Sequence, residues 1–217
     1  MKITEELVHI PANQAVIEGA LRVPPAPCGI VLFAHGSGSS RHSPRNNFVA
    51  RVLNEHGMAT LLMDLLTTEE DSDYETRFDI MLLTGRLVTA TTWVREQSKV
   101  KELPVGYFGA STGAAAALKA AVVEKSVGAV VSRGGRPDLA GTDLDKVTSP
   151  TLLLVGSHDY GVIELNEDAF SQLQGIKELV LIPGDTHLFE EPGALEQVAA
   201  QAADWFHRHL AVGLASR

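Results

Sequence analysis

Three side chains of this sequence have the types and positions for acyl chemistry: a serine, an aspartate and a histidine, each just past a different apolar run. Ser111 is the centre of Gly109-Ala-Ser-Thr-Gly113, a G-x-S-x-G pentapeptide. An extended apolar run ends before it at Phe108, and an alanine-rich, helix-forming run starts after it at Thr112. A turn of this kind from strand to helix strains its central residue and lifts that side chain above the sheet. It also puts Ser111 at a helix N-terminus, where backbone N–H groups favour developing negative charge. Asp159 closes Gly156-Ser-His-Asp159, and His187 closes Pro183-Gly-Asp-Thr-His187. A hydroxyl needs a base to take its proton, and the base needs a carboxylate to hold its tautomer. The pentapeptide alone is a weak signal, because a capping serine in an ordinary loop fits it too. The elements around it carry the weight.

Those elements alternate. Leu7 to Ile10 and Ala15 to Val23 read as a short strand pair, broken by Pro24-Pro-Ala-Pro27. Gly29 to His35 is a continuous apolar run, the pattern of a strand buried on both faces, and it leads into Gly36-Ser-Gly-Ser-Ser-Arg41. Ser43-Pro44 opens a helix that stops at Gly57. Met58 to Asp64 is a buried strand, residues 67 to 73 an acidic solvated loop, and Arg77 to Gln97 a helix. After the serine turn, a helix ends near Lys125 and a strand covers Val127 to Ser132. The polar connection to Ser149 has room for one short helix. Strand Thr151 to Val155, helix Ile163 to Leu173, strand Glu178 to Ile182 and helix Ala194 to Leu210 follow. Strand and helix in turn imply an α/β fold: a mostly parallel central sheet, helices on both faces, right-handed crossovers and an N-terminal antiparallel pair. No linker or repeat divides the chain, so residues 1–217 are expected to form a single domain.

Composition narrows the role. With 45% apolar residues among 217, a substantial core is available. A net charge of −9 argues against nucleic acid and anionic membrane as main partners. No run is long and apolar enough for a transmembrane helix, and the N-terminus has no hydrophobic signal region. The one cysteine, Cys28, has no partner for an internal disulfide. A cytoplasmic protein acting on a small molecule, with no metal or cofactor, is the expectation. The oligomeric state is open.

In an open parallel sheet, functional groups gather at the C-terminal strand ends. There lie His35-Gly-Ser-Gly38, Asp64, Ser111, Ser132-Arg133, Asp159 and His187. In chain order, serine precedes acid and acid precedes histidine. The sequence therefore resembles the α/β-hydrolase superfamily over nearly its whole length. It is most similar to the small dienelactone-hydrolase-like branch, whose minimal core lacks a large cap domain. Those enzymes use a cysteine nucleophile where this chain has Ser111, which puts dienelactone itself in doubt as substrate. The resemblance implies a triad of Ser111, His187 and Asp159, with an oxyanion hole from the backbone N–H groups of Ser37 and Thr112. Asp138 is the rival for the acid, because it follows the preceding strand. His35 is expected to brace the glycine loop, Asp64 to serve as a structural hydrogen-bonder and His158 to be a loop residue.

Arg41, Arg45, Arg133 and Arg136 fall in loops that should rim the same end of the sheet. Each either grips a carboxylate or phosphate of the substrate or pairs with a local acid. Arg41 and Arg133 are the substrate-binding candidates. The leading function is a serine hydrolase of small carboxylic esters, lactones or thioesters. Acyl transfer or perhydrolysis on the same triad is the alternative, as is ligand binding without catalysis. A dinucleotide site fits poorly, because Arg41 stands where the third glycine belongs.

Overall fold

The computed structural model describes residues 3–210 of the chain. Eight strands form one sheet in the order β1-β2-β4-β3-β5-β6-β7-β8. β1 (Thr4–Ala12) and β2 (Ala15–Val23) are antiparallel, and β2 runs antiparallel to β4 (Met58–Met63). From there β3 (Gly29–Ala34), β5 (Val105–Ala110), β6 (Val127–Arg133), β7 (Thr151–Gly156) and β8 (Lys177–Ile182) are all parallel to their neighbours. The expected α/β architecture, with its N-terminal antiparallel pair, is therefore present.

The apolar runs explain the centre of the sheet. Every residue of β3, β4, β5 and β7 is buried. Helices cover both faces. α1 (Pro44–Glu55) and α6 (Ala194–Leu210) close one side, packing Val49, Leu53, Trp205 and Phe206 against Phe33, Phe108 and Val131. α3 (Ile80–Val94), α4 (Thr112–Val123) and α5 (Tyr160–Gln172) close the other, where Leu87, Ala115, Ala116 and Ala169 meet Leu32, Tyr107 and Val130. Trp205 and Phe206 are fully buried, so truncating either to alanine would cost about 3–5 kcal/mol. No helix among the described residues is long and apolar enough to cross a membrane.

The structure differs from the sequence expectation in three local places. The acidic stretch contains a helix, α2 (Thr68–Ser72), started by a capping box in which Thr67 and Glu70 exchange side-chain and backbone bonds. The long helix over Arg77 to Gln97 is interrupted: a 3₁₀ turn at Thr76–Phe78 precedes α3, and Asp79 caps α3 through the Leu82 N–H. An aspartate that accepts from N3 starts a new helix, and the periodicity of apolar residues does not reveal that restart. Between β6 and β7 the chain makes 3₁₀ turns over Pro137–Lys146, kinked at Gly141. Nothing larger is inserted there, so these strand ends have no cap domain.

Candidate active site

β5 passes into α4 through a single residue. Ser111 has φ 50° and ψ −122°, a conformation that L-residues seldom adopt. The glycines around it make the crossing possible. A β-carbon on Gly113 would lie 2.2 Å from the Ala34 carbonyl oxygen and 2.5 Å from that of His35. One on Gly109 would lie 2.5 Å from the Ala114 Cα. The first turn of α4 thus sits directly on the end of β3. The Ser111 N–H donates to the Arg133 carbonyl at 3.3 Å, and its carbonyl accepts from Ala114 and Arg136. Its side chain makes no cap bond to the helix it starts.

Asp159 occupies the N-cap of α5 without capping it through its side chain. Its Oδ2 is bonded to His187 Nδ1 at 2.8 Å instead. With the proton on Nδ1, Nε2 is left as the basic nitrogen. Asp138, the rival acid, is held by both Nε and Nη2 of Arg136. The His187 ring lies over Gly134, where an added β-carbon would be 3.5 Å from Nδ1. It is thus next to Arg133, whose carbonyl holds the Ser111 amide. No hydrogen bond joins His187 to the Ser111 hydroxyl among the described residues. Such contacts commonly tighten only when substrate is bound.

A residue that sequence reasoning passed over holds this loop. Asp185 is fully buried, and its Oδ1 accepts from the N–H groups of Thr186 and Glu190. Its backbone carbonyl accepts from His158 N–H at 2.8 Å. It therefore ties the His187 loop both to itself and to the loop that carries Asp159. Its position two residues before His187 was the available signal, but a loop aspartate ordinarily faces water.

The loop after β3 lies against the serine turn. A β-carbon on Gly36 would be 3.0 Å from that of Ser111. The Ser37 N–H donates to the Thr112 hydroxyl at 3.0 Å, so this N–H points at the turn but is already engaged. The Thr112 N–H belongs to the first turn of α4, where no intrahelical acceptor exists. His35 is the brace: Nε2 accepts from Leu65 N–H and Nδ1 donates to the Gly36 carbonyl, each at 2.9 Å. That pattern requires a neutral ring, and burial lowers its pKa accordingly.

The two arginine candidates have different surroundings. Arg41 bonds Asp64 through both its backbone and its guanidinium and reaches Glu18 as well. Arg133 is buried, donates from Nη2 to Asn46 Oδ1 at 3.3 Å and stands over the Phe189 ring. Beside the His35 loop, a cavity of about 250 Å³ is lined by Arg41, Asp64, Thr67, Thr68 and Asp71. A larger one, about 900 Å³, lies between the β1–β2 turn, α2 and α3, away from Ser111.

Residues 17–212 match the dienelactone hydrolase family. A solved dienelactone hydrolase from Anabaena variabilis is 54% identical, covers 97% of this chain and 100% of its own, and superposes with a TM-score of 0.93. Est1E from Butyrivibrio proteoclasticus shares the fold at 19% identity, with a TM-score of 0.79 over 93% of this chain and 98% of its own. A Mycobacterium tuberculosis protein named "Putative phosphoribosyl transferase" is 56% identical over 209 residues. That match covers 96% of this chain but 47% of the relative, so the chain spans about half the length of the curated relatives it matches.

Proposed function

The chain belongs to the dienelactone hydrolase family, and from that premise we propose that it is a serine hydrolase of small carboxylic esters, lactones or thioesters. The observation that carries the reading is Ser111, held at φ 50° between β5 and α4. Strain of about 1–3 kcal/mol at one residue persists where the surrounding structure enforces it, and exposing a nucleophile is a reason to keep it.

The steps follow from the groups present. Ser111 Oγ attacks the ester carbonyl as His187 Nε2 takes its proton. The Asp159 carboxylate, bonded to Nδ1, holds the ring in the required tautomer and stabilises the imidazolium. The carbonyl oxygen becomes an oxyanion facing the N–H groups of Thr112 and Ser37. Because Ser37 N–H is bonded to the Thr112 hydroxyl at 3.0 Å, this bond is shared or exchanged as charge develops. His187 then returns the proton to the leaving alkoxide or thiolate. Water, deprotonated by the same nitrogen, releases the acid and restores Ser111.

Acyl transfer and perhydrolysis differ only in what attacks the acyl-enzyme. The transferase name belongs to relatives about twice as long as this chain, and the part matched here is the part that matches the hydrolase family. A fluorophosphonate probe tests the reading. It should label the wild-type protein and leave Ser111→Ala unlabelled; equal labelling of both would remove Ser111 from the chemistry.

A further inference from the structure

Asn166 is a polar residue at a place where an apolar one would pack. It stands on α5 and is fully buried. Its Nδ2 donates to the Gly135 carbonyl at 3.0 Å and to the Val162 carbonyl at 2.8 Å. Its Oδ1 is buried with no hydrogen-bond partner among the described residues. Both partners of the amide are carbonyl oxygens, so the nitrogen must be the end that faces them. A buried acceptor left unpaired costs stability, and native folds keep few of them. An apolar side chain would avoid that cost. Local rules are broken in this way chiefly where function requires it, and here the donor end is what the site uses.

What the donor end holds is residues 133–136, the segment that leaves β6. All four touch the candidate site. The Arg133 carbonyl accepts from Ser111 N–H, and Arg136 N–H donates to the Ser111 carbonyl at 3.0 Å. Gly134 lies under His187: an added β-carbon there would be 3.1 Å from the His187 carbonyl oxygen. Gly135 lies on the first turn of α4, where an added β-carbon would be 2.6 Å from that of Ala114. The other carbonyl, that of Val162, belongs to the first turn of α5, in which Val162 and Ile163 donate their N–H groups to the Asp159 carbonyl. One amide thus fastens the helix that starts at Asp159 to the segment on which Ser111 and His187 both rest. Because no hydrogen bond joins Ser111 to His187 directly among the described residues, their separation is set through this backbone.

We propose that Asn166 is a positioning residue, whose amide locks α5 to residues 133–136 and so holds the Asp159–His187 pair at its working distance from Ser111. This rests on the serine-hydrolase reading. Asn166 touches neither substrate nor reacting atoms. Its loss lets the acid–base pair drift from the serine while the ester still binds, and a drift of about 1 Å is enough to cost two orders of magnitude in rate.

The test is hydrolysis of 4-nitrophenyl acetate, with active sites counted by fluorophosphonate labelling. Asn166→Ala removes both bonds. Asn166→Ser keeps only the bond within α5, because its hydroxyl reaches the carbonyl four residues back and not the loop; it decides the matter if Asn166→Ala does not fold. In each, kcat per labelled site should fall about tenfold or more, with KM changed less than about twofold. Ala169→Gly, buried on the same helix, weakens α5 without touching the loop. It should lower the melting temperature and leave kcat per labelled site unchanged. A kcat within about twofold of wild type in the Asn166 variants, or an equal loss in Ala169→Gly, would overturn the proposal. A proton NMR signal keeps it distinct from the hydrolase reading. The His187 Nδ1 proton is identified by its loss in His187→Gln. If Ser111→Ala is labelled as well as wild type, the hydrolase reading fails and this signal decides. Broadening in Asn166→Ser by faster exchange with water supports the lock, and an unchanged signal removes it.

Discussion

The serine turn and the histidine loop present two candidate functional side chains by opposite physical means. The turn is steric. Its shape follows from two glycines, a strained serine and a helix packed on the end of β3, all within a few residues of sequence. The histidine loop is polar. His187 is placed by a bond to Asp159 and by the buried Asp185, which holds the loop through backbone N–H groups. Local sterics tolerate little change, whereas a polar tether can loosen by degrees. Substitutions in the turn should therefore act all or none, and substitutions in the loop should grade.

The largest effect should come from Ser111→Gly. Hydrolysis should fall by about 10⁴-fold or more, since the proposed nucleophile is gone. Yet thermal unfolding should move up, by about 1 kcal/mol of stability, because glycine accepts a positive φ without strain. A destabilised Ser111→Gly protein would contradict the steric account. Next is Gly113→Ala. A methyl group there meets two backbone oxygens at 2.2 and 2.5 Å, and denaturant titration should show a loss of about 3 kcal/mol or more.

In the loop, Asp185→Ala should cost about 1–2 kcal/mol, because the N–H groups of Thr186 and Glu190 lose their acceptor. It should lower kcat about tenfold with little change in KM, and Asp185→Asn, which keeps an acceptor oxygen, should recover part of both. An Asp185→Ala protein as active as wild type would show that the loop needs no such tether. The smallest effect concerns His35, in the brace of the glycine loop. Burial lowers its pKa below the ordinary histidine value of 6.5, so the fold favours the neutral ring. The unfolded chain then takes up the proton more readily. That stabilisation is complete above pH 6.5 and fades as pH falls below it. Melting temperature should therefore drop as pH falls below about 6.5, and His35→Gln should flatten this part of the drop.

Much of this fold is legible in the sequence because its strands are nearly continuous apolar runs. Gly29 to His35 and Met58 to Asp64 read as strands buried on both faces, and the structure buries every residue of β3 and β4. The α2 capping box was legible too, as Thr67 followed by Glu70 at the right spacing, but the acidic composition around it reads as solvated loop. The burial of Asp185 was not legible. Beyond its place two residues before His187, nothing local distinguishes an aspartate that collects loop N–H groups from one that faces water.

What the sequence determined by itself was whatever depends on neighbours along the chain: the strand–turn–helix at Ser111, the alternation that makes a parallel sheet, and the placing of candidate groups after strands. What only the tertiary structure decided was pairing between side chains far apart in sequence. His187 bonds Asp159 rather than Asp138, and Arg41 finds two carboxylates while Arg133 finds another cation. The physical reason is range. Backbone conformation responds to a few adjacent residues, whereas charges and hydrogen bonds are satisfied through space, among partners that strand order and register bring together.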